Sequence, residues 1–175
     1  MPPVPLLFLL LVTLGLVASK DAPAATKPKP APPPPLPPGG AVGNAHFLDK
    51  LTPDTVAFVL ELARLARLEG ITFKLQSGKR SCAQQNALYA QGRTAPGPII
   101  TGARGCMSWH VQGRAVDFLP SPNTPQAYAR VGALAVQLGG VWGGTFSNLK
   151  DIGHVEFHPG KRIEDVCSNP DDCKD

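Results

Sequence analysis

The stretch "SWHVQGRAVDF", residues 108–118, sets a histidine and an aspartate seven positions apart around a glycine and then runs into an apolar, strand-like end. Two readings compete for it. One is a polar turn in front of an ordinary buried strand; the other is a turn and strand that carry two ligands of a single metal ion. His110 and Asp117 alone do not decide between them, because a lone histidine is more often a hydrogen-bonded structural residue than a ligand. The decision rests on what the rest of the chain supplies.

Downstream, "DIGHVEFH", residues 151–158, adds Asp151, His154, Glu156 and His158. Side chains alternate along a strand, so His154, Glu156 and His158 share one face if this segment is extended. Asp151 precedes that strand across a tight turn at Gly153. Metal-assisted hydrolysis needs an ion held by three protein ligands with one position left for water, and a nearby carboxylate to take the water's proton. His110 and Asp117 with the 151–158 acids and histidines make a matching set. His158 competes with His154 as a ligand, and Glu156 reads as a supporting or salt-bridging residue. His46 has no assignable partner, and Trp109 and Trp142 read either as a cleft wall or as packing.

Around these segments the chain alternates helix and strand signals. In "LTPDTVAFVLELARLARLEG", residues 51–70, Thr52 is a candidate N-cap, Pro53 takes the first helical position and Gly70 stands just past the end. Phe58, Val59, Leu62, Leu65 and Ala66 recur at helical spacing, with Glu61 and Arg64 off that stripe. "ITFKLQ" (71–76) and "RAVDFL" (114–119) read as strands, "GVWGG" and "HVEFH" as shorter ones. "AQQNALYAQ" (83–91) reads as a short helix, "TPQAYARVGALAVQLG" (124–139) as a longer one capped by Thr124, and Gly92 to Gly105 as a long loop. Short connections between mixed elements predict an α+β domain with a small, mostly antiparallel sheet and helices on one side.

The 175 residues leave room for one domain with a real core. Residues 1–19 carry an apolar run too short for a membrane span, which needs roughly 20 apolar residues, and read as a signal peptide. Residues 20–40 include nine prolines between Pro23 and Gly40 and read as an extended linker that buries no core. The folded domain is expected at 41–175, ending in a short cysteine-containing tail, with no stable membrane insertion once the signal is removed. The charge of +4 leans on Lys20, Lys27 and Lys29, which leaves 14 basic residues against 12 acidic ones from residue 41 onward. That balance excludes the footprint of a nucleic-acid binder. Arg80, Arg93, Arg104 and Arg114 crowd one stretch and leave room for a local anion site.

Cys82, Cys106, Cys167 and Cys173 fit an exported, oxidising compartment, periplasmic or extracellular. Of the three pairings, Cys82 with Cys106 and Cys167 with Cys173 are favoured, since the first ties two polar loops and the second closes a small loop in the tail. No C-x-x-C spacing supports a zinc site built from cysteines.

Taken as a set, "LYAQGRT", "TGARGCMSWHVQGRAVDF", "VWGG" and "DIGHVEF" resemble the zinc D-alanyl-D-alanine carboxypeptidases and dipeptidases of bacterial cell walls, closest to the branch of phage-endolysin L-alanyl-D-glutamate endopeptidases. The resemblance runs from about residue 71 to 158. It implies a fold shared with the Hedgehog signalling domain, with one Zn²⁺ per chain on His110, Asp117 and His154 and Asp151 as the catalytic base. Arg80 would steady the substrate carbonyl or its oxyanion, and Gln85 and Ser108 would line the substrate site. The implied partner is a peptidoglycan stem peptide and the implied state a monomer. The Hedgehog case supplies the alternative, a zinc-containing binding module that cuts nothing. A complete base and oxyanion set, Asp151 and Arg80, favours the hydrolase. Lys79, Val111, Thr145 and Phe146 depart from many relatives where substrate would lie and spare the proposed ligands.

Overall fold

The structure, a computed structural model, describes residues 42–173; the expected signal segment 1–19 and linker 20–40 lie outside the described residues. Helix α1 (Pro53–Leu68) begins at Thr52 with a proline in its first turn and ends at Glu69, before Gly70 at φ 75°. Thr52 does not cap a backbone amide; its hydroxyl pairs with that of Thr55 at 2.8 Å. Strand β1 (Thr72–Ser77) follows, then α2 (Cys82–Ala90), whose start is closed by a reciprocal Ser81 and Gln84 capping box. After the long loop and a 3₁₀ turn at Gly105–Met107 come β2 (Ala115–Ser121), α3 (Pro125–Gln137), β3 (Val141–Trp142) and β4 (His154–Glu156). Thr124 caps α3 by accepting from the Ala127 amide at 3.2 Å.

The four strands form one antiparallel sheet in the order β1-β2-β4-β3. Its core face takes every second side chain: Phe73 and Leu75 from β1, Val116 and Phe118 from β2, Val155 from β4. These pack with Val59, Leu62 and Ala66 of α1 and Val131, Leu134 and Ala135 of α3. Phe118, Leu62 and Leu75 are among the largest fully buried side chains, each contributing about 1.5–3 kcal/mol of transfer free energy. Of the helical stripe read from the sequence, Phe58, Val59, Leu62 and Ala66 are buried and Leu65 is partly buried, with Thr55 and Ala63 added to the buried face. Among the described residues no helix is long and apolar enough to cross a membrane.

The disulfides correct the expected pairing. Cys82 bonds Cys173 and Cys106 bonds Cys167, with sequence separations of 91 and 61. The reason is the path of the tail, which doubles back over the start of α2 and the 105–107 turn. Arg104 pairs with Asp171 there, and a Cβ on Gly105 would lie 2.4 Å from the Pro170 carbonyl oxygen. With Val111, the cysteines Cys82, Cys106 and Cys167 make a second small buried cluster.

Candidate metal centre

The register of β2 against β4 pairs Val116 with Val155 and Asp117 with His154. Since the valines face the core, alternation turns Asp117 and His154 to the opposite face as direct cross-strand neighbours. A slip of one residue would send both into the core, so the apolar pattern of "AVDF" and "HVEF" itself builds two-thirds of the site. His110 arrives from the turn between the 3₁₀ segment and β2. Gly113 makes that turn at φ 66°, where an added Cβ would lie 3.0 Å from the Lys50 carbonyl oxygen, which accounts for the glycine of "HVQGR".

Three atoms converge: His110 Nε2 and Asp117 Oδ1 are 3.2 Å apart, His110 Nε2 and His154 Nδ1 are 3.2 Å apart, and His154 Nδ1 and Asp117 Oδ1 are 2.9 Å apart. Ligands about 2.0–2.1 Å from a tetrahedral zinc stand roughly 3.3 Å from one another, so the triangle is close to one face of such a tetrahedron. The remaining polar atom of each residue is held from outside. His110 Nδ1 donates to the Gly78 carbonyl at 2.7 Å, His154 Nε2 donates to Glu156 Oε1 at 3.0 Å, and Asp117 Oδ2 accepts from Arg80 at 2.6 Å. These partners leave His110 Nε2 and His154 Nδ1 as the nitrogens that face inward. His110 and His154 are buried at 2% and 8% exposure.

The electrostatics agree with a site made for positive charge. Burial pulls the His154 pKa down, but hydrogen bonds to Asp117 and Glu156 outweigh it and raise the value to about 9. Burial pushes Asp117 up, yet its contacts with the His110 and His154 imidazoles hold its carboxyl well below the ordinary carboxylate range. Without an ion, one proton on His154 Nδ1 sits between two acceptors, Asp117 Oδ1 and His110 Nε2; a divalent cation satisfies all three atoms more fully. The donor set of two imidazoles and a carboxylate fits zinc.

A cleft of about 610 Å³ opens over this face, lined among others by Arg80, Ser108, Asp151, Ile100, Phe146 and Leu149. Asp151 is exposed, its Oδ1 accepting from the Gly153 amide at 3.2 Å. Its backbone is pinned by a bond from its amide to the Gly143 carbonyl at 3.0 Å, and a Cβ on Gly143 would lie 2.4 Å from the Asp151 carbonyl oxygen. Ser108 lies at the cleft floor and accepts from the His110 amide at 3.3 Å.

Gln85 is fully buried and is not among the residues that line the cleft. Its amide donates to Thr101 and to the Ala103 carbonyl at 3.3 and 2.9 Å, and its oxygen accepts from Arg80 at 3.3 Å. The four arginines do not converge on one anion site either. Arg93 bonds the Tyr89 and Thr101 carbonyls, Arg104 pairs with Asp171 and Arg114 with Asp54, so only Arg80 of the four lines the cleft. Trp109 lines the cleft, Trp142 donates to the Ile152 carbonyl at 2.9 Å outside it, and His46 is exposed beside Phe47. The Gly78 carbonyl escapes a sequence reading because any residue could offer it. The apolar rim residues Ile100 and Leu149 escape it because their loops carry no periodicity.

Residues 101–157 match the family model described as D-alanyl-D-alanine carboxypeptidase. Over 113 residues the chain is 34% identical to the peptidoglycan L-alanyl-D-glutamate endopeptidase CwlK of Bacillus subtilis (strain 168), covering 56% of this chain and 68% of that protein. The fold is similar to that of the Serratia marcescens L-Ala D-Glu endopeptidase ChiX, with a TM-score of 0.51 and 22% identity over 65% of this chain and 84% of the other.

Proposed function

We propose, from the premise that the chain belongs to the D-alanyl-D-alanine carboxypeptidase family of peptidases, that it is a zinc-dependent peptidase cutting an amide bond in the stem peptide of peptidoglycan. The bond assigned is that between L-alanine and D-glutamate, the one named for CwlK and ChiX. The observation that carries the reading is the triangle of His110 Nε2, Asp117 Oδ1 and His154 Nδ1, with each residue's other polar atom held outward by Gly78, Arg80 or Glu156.

His110, Asp117 and His154 would hold the zinc, which would lower the pKa of a bound water toward about 7 and polarise the scissile carbonyl. Asp151, exposed on the cleft wall, takes the proton of the attacking water and returns it to the leaving amine. Arg80 places a fixed positive charge beside Asp117, where negative charge develops on the carbonyl oxygen. Gln85 acts from beneath by holding the Arg80 guanidinium and the 101–103 segment, and Ser108 offers a polar contact at the floor. Ile100 and Leu149, 48% and 41% exposed on opposite loops, give apolar walls for the alanine methyl and backbone of a peptide. The protein works as a monomer in the cell envelope outside the cytoplasm, a location that its two disulfides suit.

The test is Asp151→Asn in the full chain. The variant should bind one zinc like the parent and release new amino groups from purified peptidoglycan at least about a hundredfold more slowly. An Asn variant as active as the parent would remove Asp151 from the mechanism.

A further inference from the structure

Four residues past His154 the sequence reads "HPGK", residues 158–161. Proline at the second position and Gly160 at φ 68° at the third give the pattern of a type II turn, closed by the Lys161 amide donating to the His158 carbonyl at 3.0 Å. The turn fixes His158 at the end of an alternating run. Phe157 faces inward and stacks on Phe58, with ring centroids 4.6 Å apart and planes 13° apart, so His158 emerges on the face of His154 and Glu156. There its Nδ1 lies 3.1 Å from the Lys161 carbonyl oxygen and its Nε2 lies 3.1 Å from Glu156 Oε2. The other oxygen of the same carboxylate accepts from His154 Nε2 at 3.0 Å. The His158 ring is stacked face to face on Trp109, with centroids 4.0 Å apart and planes 6° apart.

We infer that Glu156 and His158 are positioning residues for the metal centre, a chain running from the Trp109 ring through His158 and Glu156 to His154 that fixes which nitrogen of His154 faces the ion. The inference rests on the metal reading above. A carboxylate with one oxygen on each imidazole cannot rotate without breaking a bond, and His158 in turn cannot swing while its turn, its carbonyl partner and the indole hold it. Ala115, opposite Glu156 across the strands, is small and fully buried, leaving the carboxylate its room. Trp109 also immediately precedes His110, so the stack ties the segment bearing one ligand to the support of another. The hydrogen bond of His158, as distinct from its stack on Trp109, thus reaches the metal centre only through Glu156, which distinguishes this arrangement from two residues that each merely stabilise the fold.

The experiment is a double-substitution cycle on zinc affinity in the full chain, read by competition with a chromophoric chelator, alongside the visible spectrum of the cobalt-substituted protein. Glu156→Ala should weaken zinc binding by about 10- to 100-fold, the usual range for an outer-shell carboxylate, and the isosteric Glu156→Gln by about tenfold, with shifted cobalt bands. His158→Phe keeps an aromatic face for Trp109 but not the hydrogen bond, and should weaken binding by about three- to tenfold. The Glu156→Ala, His158→Phe double variant should match Glu156→Ala alone within about twofold, because the second loss acts through a residue already gone. If Glu156→Ala does not fold, Glu156→Gln with His158→Phe completes the cycle. Single effects that multiply in the double variant, or Glu156→Gln with unchanged affinity and cobalt bands, would overturn the inference. A parent chain that binds no zinc would instead overturn the metal reading on which it rests.

Discussion

Zinc should enter this site by displacing a proton, and the structure sets the size of the effect. In the metal-free protein burial lowers the His154 pKa, but Asp117 and Glu156 raise it to about 9, against an ordinary value of 6.5. At about 1.4 kcal/mol per unit, the difference is about 3 kcal/mol of stability. Because the folded value lies above the unfolded one, that stability is fully present below pH 6.5 and is lost as pH rises through 9. Asp117 runs the other way: its depressed carboxyl contributes above the ordinary carboxylate range and loses its contribution only in acid. The metal-free protein should therefore resist urea best between about pH 4 and 6.5 and lose about 3 kcal/mol on the way to pH 9. At pH 6.5 the Nδ1 proton of His154 must leave for zinc to bind. Calorimetric titration with zinc at that pH, in two buffers of different ionisation enthalpy, should report about one proton released per ion, with affinity rising about tenfold per pH unit. No proton released, together with an affinity flat from pH 6 to 8, would refute the assignment of His154 Nδ1 as a ligand atom.

Two further outcomes follow from packing and covalent structure. Gly143→Ala would drive a Cβ to 2.4 Å from the Asp151 carbonyl oxygen and 3.0 Å from the His154 Cβ, so it should lower turnover about tenfold or more, with a smaller loss of zinc affinity. Equal losses in both would mean that Gly143 supports the metal site itself. Peptide mapping under non-reducing conditions should recover Cys82 joined to Cys173 and Cys106 joined to Cys167. Opening the 61-residue separation with Cys106→Ala and Cys167→Ala should cost about 4 kcal/mol in urea unfolding on the chain-entropy estimate. A Cys82–Cys106 peptide would contradict the tail's path.

What the sequence discloses here follows from which interactions are periodic. The α1 stripe and the alternation in "AVDF" and "HVEF" are local patterns enforced by one buried face, so the helix, the strands and the shared face of Asp117 and His154 are legible in the order of residues alone. His110 is legible through its spacing and its resemblance to a known family, because the turn that delivers it has no period of its own. The disulfides are not legible: "C-x-x-x-x-x-C" at 167–173 suggests a local loop, whereas the tail is held by Arg104, Gly105 and two distant cysteines that no local pattern connects. The bracing contacts of Gln85 are not legible for a similar reason. A polar residue on a short helix beside a cleft looks like a substrate contact, and only its burial against Thr101, Ala103 and Arg80 reveals a brace. Glu156 sits in plain view in "HVEFH", but its double role depends on a turn three residues further on.

Mass spectrometry of muropeptides incubated with the full chain, with chelator and with zinc restored, tests the zinc-peptidase assignment most directly. The expected result is a pair of products whose masses place the cut between L-alanine and D-glutamate, absent with chelator and restored by zinc. Intact muropeptides across a broad set, from protein shown to carry one zinc per chain, would contradict a peptidase and point to a binding module instead.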